Sequence, residues 1–236
     1  MSTDETMLSW IVPLYHNGNY ASELIRRAHA AAESTGLRCE IIFIDDCCPE
    51  RSGQRAAEAA RCQTTARVEV LRLPRNIGQD SAIREGLRAC RGLHAMIIDG
   101  DLQDPPEALP LLWRRLQQTG ADVIFAARHG SYESPDKLAS SRIYRQAMSW
   151  LGDLPAQAGV CALLNRRAIE VVAATRVRRV SLLAALAGAR LSCEGVAVLR
   201  APRPDGRSAY SSWTRTSKAV HSLLQTIRAR WLRIPL

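Results

Sequence analysis

The chain is predicted to be an α/β protein with a mostly parallel central sheet and helices on both faces. Short apolar runs alternate with helix-patterned stretches about five times between Leu8 and Ala126, the rhythm of successive right-handed βαβ units. The runs themselves read as buried strands. Polar residues then gather just after them: Tyr15, Asp45, Asp46, Asn76, Asp99, Asp101 and Arg128 each follow a strand. In open α/β sheets that edge is where ligands bind.

Taken in order, Leu8 to Val12 is the first strand, stopped by Pro13, and Tyr15 to Asn19 a loop. Tyr20, Leu24, Ile25 and Ala28 fall at helical spacing, and that helix ends near Gly36. Glu40 to Ile44 is the second strand, ending in Asp45 and Asp46, with an Ala- and Arg-rich helix running to about Arg61. Arg67 to Leu73 is the third. After the turn Pro74 to Gln79, Asp80 or Ser81 caps a helix carrying Ile83, Leu87 and Cys90, closed by Gly92. The fourth strand begins at Ala95 and runs into Asp99-Gly100-Asp101. Asp104, Pro105 and Glu107 then spell an N-cap, a first helical residue and an acidic third position, an Asp form of the capping box. The helix they open reaches about Gln118, and Ala121 to Ala126 is the fifth strand.

The pattern weakens beyond. Ser131 to Lys137 is a polar loop and a candidate lid, and Leu138 to Leu151 a helix. Gly159 to Leu164 is apolar. Arg166 to Ala174 and Ser181 to Gly188 are helices, and Val196 to Leu199 a strand. Arg203 to Tyr210 is a basic loop. Trp213, Val220, Leu223, Leu224, Ile227 and Trp231 lie at helical spacing among basic residues. They predict a helix docked on the domain, lying on an anionic membrane, or both. The expected division is therefore a domain over 1–212 and a basic amphipathic helix over 213–236.

With 236 residues, 47% of them hydrophobic, the chain can bury a sizeable core. No run approaches the 18 apolar residues of a membrane span, and no basic segment leads an apolar core at the N-terminus. The expected location is cytoplasmic, with peripheral membrane contact through the last helix. Seven scattered cysteines without paired CxxC motifs read as reduced thiols. The net charge of +9 is uneven: residues 166–236 hold 14 basic and 3 acidic residues, against 18 and 20 before them. The back third therefore meets something anionic. Aromatics are 5% of the chain and no nucleic-acid motif is present, which argues against nucleic acid. No Gly-x-Gly-x-x-Gly follows the first strand and no P-loop appears, excluding the commonest dinucleotide and ATPase designs.

Asp99 and Asp101 are two positions apart, so an extended chain projects both side chains to the same side. Converging carboxylates hold a hard divalent cation, and Mg²⁺ takes its remaining ligands from substrate phosphates and water. The natural substrate is a diphosphate.

These motifs resemble glycosyltransferase family 2, with the Rossmann-like GT-A fold. Within it the chain is most similar to polyprenyl-phosphate glycosyltransferases, such as dolichol-phosphate mannose synthases and bacterial undecaprenyl-phosphate sugar transferases. The matching residues are Val12-Pro-Leu-Tyr15, Ile44-Asp-Asp46, Arg75-Asn-Ile-Gly78 with Ala82 and Gly86-Leu87, Asp99-Gly-Asp-Leu-Gln-Asp-Pro-Pro-Glu107, and the loop Arg203-x-x-Gly206-x-Ser208-x-Tyr210. The resemblance implies a metal-dependent, inverting transfer from a nucleoside-diphosphate sugar to an acceptor, foremost a polyprenyl phosphate. Pro13, Tyr15, Asp46, Asn76 and Gly78 would line the nucleotide pocket, with Asp46 or Asp45 facing the base. Asp99, Asp101 and Gln103 would hold Mg²⁺ or Mn²⁺. Arg128, Lys137, Arg203, Ser208 and Tyr210 would receive the acceptor, with Asp101, Arg128 and Arg203 closest to the chemistry. Cys47-Cys48 stands where relatives carry Gly-Ser, Gln157, Cys161 and Ala162 replace an Asp, an aromatic and an Arg, and Ala209 replaces a Lys. A soluble sugar, peptide or natural-product acceptor, an inactive nucleotide-sugar-binding or membrane-docking module, and an Asp-x-Asp phosphatase are the other readings.

Overall fold

The computed structural model describes residues 7–62, 67–129, 153–155, 158–175, 180–199 and 223–228. Its elements are β1 (Met7–Leu14), α1 (Ala21–Glu33), β2 (Arg38–Asp45), α2 (Ser52–Arg61), β3 (Arg67–Arg72), α3 (Gln79–Ala89), β4 (His94–Ile97), α4 (Leu109–Thr119), β5 (Val123–His129), β6 (Ala162–Asn165), α5 (Arg166–Ala174), α6 (Leu182–Gly188) and β7 (Cys193–Leu199). The strands form one seven-stranded sheet in the order β3-β2-β1-β4-β6-β5-β7. All pairs are parallel except those of β6, which runs antiparallel between β4 and β5.

The strand sequences explain the layering. In β1, Leu8, Trp10, Val12 and Leu14 enter one core cluster, with α1 and α4, whereas Ile11 enters the other, with α3, α5 and α6. Alternate residues reach opposite faces, and both faces are covered by helices. The strand is therefore apolar at nearly every position.

Several local expectations are corrected. Pro13 does not stop β1; it pairs in register with Ile44 inside the strand. Leu14 C=O accepts from Asp46 N–H on the β2 side, and Ile11 C=O accepts from Ile98 N–H on the β4 side. Successive residues turn their polar groups to alternate sides, so the Pro13 nitrogen faces β4, beyond that strand's end at Ile97. Its missing N–H breaks no ladder bond. Asp80 does not cap α3. Gly78, at φ +87°, is the residue before the helix, and Asp80 instead accepts from Leu182 N–H at 3.0 Å, joining α3 to the start of α6.

The residue ahead of the first helical turn is Pro105, not the Asp104 of the expected capping box. Pro106–Ala108 form a 3-10 turn ahead of α4, entered from Pro105 with no side-chain cap. Glu107 forms a two-pronged pair with Arg27 of α1, at 2.7 and 2.5 Å, and Asp104 is buried. The apolar stretch before Asn165 becomes β6, and Asn165 caps α5 by accepting from Ala168 N–H at 2.9 Å.

Of the C-terminal helix, the described part covers 223–228 and is helical. Gln225 and Thr226 are its buried residues, Gln225 accepting from Ser181 N–H at 2.9 Å, while Leu224 is 55% exposed. This stretch docks through polar residues and Leu223 rather than through the full apolar stripe. No helix among the described residues is long and apolar enough to cross a membrane. The candidate lid at 131–137, the helix at 138–151, and the loop bearing Arg203, Ser208 and Tyr210 lie outside the described residues.

Candidate active site

The chain builds β1, β2 and β3 outward in one direction, then returns to the other side of β1 with β4. The strand order reverses between β1 and β4, and the crevice at their carboxyl ends is the ligand position of an open α/β sheet. Three turns meet there: Tyr15–Asn19 after β1, Asp46–Arg51 after β2, and Asp99–Asp104 after β4. Each contains a non-glycine residue in the left-handed region: His16 (φ 63°) in the first, Cys47 (φ 53°) and Arg51 (φ 58°) in the second, and Leu102 (φ 58°) in the third. Such backbone costs about 1–2 kcal/mol per residue and concentrates at functional sites. Cys47 occupies the conformation that a glycine adopts freely.

The turn after β2 separates its two carboxylates. Asp45 is buried and accepts from Cys48 N–H at 2.9 Å. A side chain on Gly53 would come within 2.5 Å of its Oδ2. Asp45 therefore shapes the entry to α2. Asp46 points across to the loop before α3: Oδ1 accepts from Ile77 N–H at 2.7 Å and Oδ2 from Gly78 N–H at 2.8 Å. Burial pushes its pKa up, the two N–H donors pull it down, and the Asp45 charge adds to the rise, leaving it above the ordinary value. Each oxygen retains a second lone pair for a ligand N–H.

Cys48 is a buried junction. Its Sγ accepts from His16 N–H at 3.2 Å and from the Ser52 hydroxyl at 3.2 Å. Ser52 Oγ in turn accepts from Gly18 N–H at 3.2 Å. Burial raises the thiol pKa, but the hydrogen bonds from Ser52, His16 and Glu50 outweigh it and leave it below the ordinary value. These bonds lock the turn after β1 to the turn after β2, a connection invisible in the sequence because it depends on which strands are neighbours.

The Asp-Gly-Asp motif is not an extended strand end. β4 stops at Ile97, and the chain turns at Gly100 and Asp101, so the same-side projection of a strand does not describe the pair. Asp101 Oδ1 accepts from Gln103 N–H at 3.1 Å, tightening the turn. A side chain at Gly100 would sit 2.8 Å from Asn17 Nδ2 and 2.9 Å from Leu14 Cδ2. The turn thus lies directly against the loop after β1. Asp99 accepts from Gln79 Nε2 at 2.6 Å.

Asp99 and Asp101 are partly exposed and Gln103 is buried. The three offer oxygen donors of the hard kind that Mg²⁺ and Mn²⁺ prefer. No group of three or more His, Cys, Asp or Glu residues is gathered for a metal among the described residues. The turn therefore offers two carboxylates rather than a complete cage, which suits a cation that takes its other ligands from a diphosphate and water.

Of the other predicted residues, Pro13 is buried in β1, while Tyr15 and Asn76 are exposed at the same edge. The backbone of Arg128 lies near the carboxyl end of β5, opposite Val198 of β7. Cys161 and Ala162 are buried in the core, Cys161 C=O accepting from Ala126 N–H at 3.0 Å. Gln157 and Lys137 fall outside the described residues. Sequence reasoning missed Gln79 and Asn17 as parts of the site, and noted Cys48 only as a departure in the turn after β2. Gln79 carried a signal, because it directly follows the Arg75-Asn-Ile-Gly78 motif.

The model of "Glycosyl transferase family 2" matches residues 9–172. An undecaprenyl-phosphate 4-deoxy-4-formamido-L-arabinose transferase of Pseudomonas paraeruginosa is 34% identical over 209 residues, covering 87% of this chain and 61% of the relative. The Klebsiella pneumoniae protein of the same name is 32% identical over 230 residues, covering 96% and 69%. The chain thus spans roughly three-fifths to two-thirds of the length of these relatives. Among solved structures, a mannosyltransferase from Pyrobaculum calidifontis in complex with GDP-Man and Mn²⁺ superposes with a TM-score of 0.68 at 14% identity, covering 99% of this chain and 66% of that one. A glucosyl-3-phosphoglycerate synthase from Mycobacterium tuberculosis in complex with Mn²⁺, UDP and phosphoglyceric acid gives 0.65 at 13% identity, covering 96% and 78%. These similarities carry the GT-A architecture, and the matched residues span all three turns of the crevice: this chain belongs to glycosyltransferase family 2.

Proposed function

We propose that the chain transfers a sugar from a nucleoside-diphosphate sugar to a polyprenyl phosphate, with inversion at the anomeric carbon. The observation that carries this reading is the pairing of two acidic turns across the β1/β4 crevice: Asp46 on one side, and Asp99 with Asp101 on the other. A base with an N–H edge suits Asp46, flanked by Tyr15 and Asn76. A diphosphate suits the Asp99–Gln103 turn, where Asp99, Asp101 and Gln103 would hold Mg²⁺ or Mn²⁺. That ion would supply charge stabilisation for the departing nucleoside diphosphate. The names of the relatives support undecaprenyl phosphate as the acceptor, and the Mn²⁺ and nucleotides in the neighbours' complexes support the donor half.

An acceptor phosphate is already an anion at neutral pH, so its oxygen attacks the anomeric carbon without a strong general base. The bond from that carbon to the diphosphate oxygen breaks as the new one forms. Arg128, Lys137, Arg203, Ser208 and Tyr210 are the proposed acceptor-side residues. Arginine suits this task because its planar fork orients a phosphate through two hydrogen bonds. The basic C-terminal region is proposed to bring the domain to an anionic membrane surface.

Thermal unfolding with UDP, GDP, CDP and dTDP, each with and without Mn²⁺, tests the donor half. A nucleotide at 100 times its dissociation constant adds about 2.7 kcal/mol. In a chain of this size that raises the melting temperature by roughly 5–11 °C. The expected result is a shift with one nucleotide that needs Mn²⁺ and vanishes in Asp101→Ala. Transfer from the matching sugar nucleotide to a short polyprenyl phosphate in detergent tests the acceptor half. Turnover only with a soluble acceptor would replace the lipid, and no nucleotide binding at all would remove the enzyme reading.

A further inference from the structure

We propose that Gln79 is a positioning residue that sets the Asp99 carboxylate for the donor's cation and diphosphate and ties it to the nucleotide-side carboxylate Asp46. This rests on the donor-site reading above. The Gln79 amide nitrogen lies 2.6 Å from Asp99 Oδ1. An ionised carboxylate only accepts, so the amide must present its N–H to it. Gln79 cannot drift, because the chain is pinned on both sides of it. Asp46 holds Ile77 and Gly78 through their N–H groups at 2.7 and 2.8 Å. One residue later, Asp80 holds Leu182 N–H at 3.0 Å. Gly78 C=O also accepts from Ala82 N–H at 2.9 Å, fixing the first turn of α3.

A continuous run therefore crosses the crevice, from Asp46 through the backbone of 77 and 78 to the Gln79 side chain and on to Asp99. Glutamine suits the position for an electrostatic reason. A neutral donor orients a carboxylate and leaves its charge for a cation, whereas lysine or arginine there would neutralise it and repel the ion. Partners that orient metal-binding side chains in this way commonly contribute 10–100-fold to metal affinity or activity.

The test uses the whole chain and the variants Gln79→Met and Gln79→Leu, which remove the donor at similar size. Binding of Mn²⁺ is followed through the spin-resonance signal of the free ion, with UDP and with GDP present. The expected result is Mn²⁺ binding weakened about tenfold or more, in variants that stay folded and whose metal-free melting temperature falls only by the small amount that one lost hydrogen bond brings. Adding Gln79→Met to Asp99→Ala should cause little further loss, because Asp99→Ala already removes the carboxylate that Gln79 positions. Wild-type Mn²⁺ affinity in folded Gln79→Met or Gln79→Leu overturns the proposal. So does a loss that simply adds to that of Asp99→Ala. If the wild type binds Mn²⁺ and loses it in Asp101→Ala while Gln79→Met retains it, only the role of Gln79 falls. If the wild type binds no Mn²⁺ with UDP or GDP, nor with CDP or dTDP in their place, the donor-site reading falls with it.

Discussion

Replacing Asp46 by alanine probes the crevice where its two halves are joined. The substitution removes the acceptor for Ile77 N–H and Gly78 N–H, bonds of 2.7 and 2.8 Å. A hydrogen bond to a charged acceptor contributes about 1.5 kcal/mol at the low end of its range, and the half-buried setting of both amides favours that end. About 1.5 kcal/mol per bond corresponds to roughly tenfold faster hydrogen exchange at each of the two amides. Global stability should fall by less than the sum. Burial already disfavours the Asp46 charge and raises its pKa, so removing it relieves part of the cost. A net loss of about 1–2 kcal/mol lowers the melting temperature by roughly 2–8 °C. Amide exchange followed by NMR at Ile77 and Gly78, beside a thermal scan, reads both quantities. Exchange at wild-type rates in Asp46→Ala would refute the reasoning, because the carboxylate would then not be holding the loop.

Two further outcomes follow from the same geometry. Gly18→Ala places a β-carbon 2.6 Å from Ser52 Cα and 2.7 Å from Ser52 O. These are backbone atoms that cannot turn aside, so a thermal scan should show a loss of about 1–3 kcal/mol, together with weaker nucleotide binding. Asp46 and Asp122 should respond to acid with opposite sign. Burial pushes the Asp122 pKa up, but the bonds from Ser192 and Asn165 and the Arg167 charge hold it below the ordinary value. Its stabilising contribution is present above the unfolded pKa of about 3.9 and is lost as pH falls through the lower folded value. The raised pKa of Asp46 means that wild type gains stability relative to Asp46→Asn as pH falls from the folded value towards about 3.9. Melting scans of each wild-type and Asn pair between neutral pH and about pH 3 should show the two differences moving in opposite directions.

The βα repeats were legible because each strand carries its own apolar run and each turn its own polar residues. All five N-terminal strands appear where the sequence places them, within a few residues. Less was legible wherever a feature depends on neighbours distant in sequence. The stretch at 162–165 is apolar in any arrangement; only the sheet reveals that β6 enters antiparallel between β4 and β5. Asp104, Pro105 and Glu107 satisfy a local capping pattern, yet Glu107 pairs with Arg27, 80 positions away. Asp45 and Asp46 are indistinguishable as letters. Alternation along β2 turns one inward toward Gly53 and the other across to the loop before α3. In the 223–228 turn, the docked face is chosen by the Ser181 N–H that needs an acceptor, so Gln225 goes inward and Leu224 outward.

The insertion of β6 also bears on how the chain is made. β4 leaves the ribosome early, but its partner in the finished sheet begins at Ala162, 65 positions after Ile97. At about 5–20 residues per second, one edge of β4 waits roughly 3–13 s for the strand that belongs there. β5 emerges first and is apolar, yet in the native order it must stand one place further out. A nascent chain that lets β5 zip directly onto β4 closes the gap that β6 has to enter. Correct assembly therefore requires the β1–β4 half to keep an open, greasy margin during synthesis, and that margin is the surface most exposed to misassembly until β6 arrives.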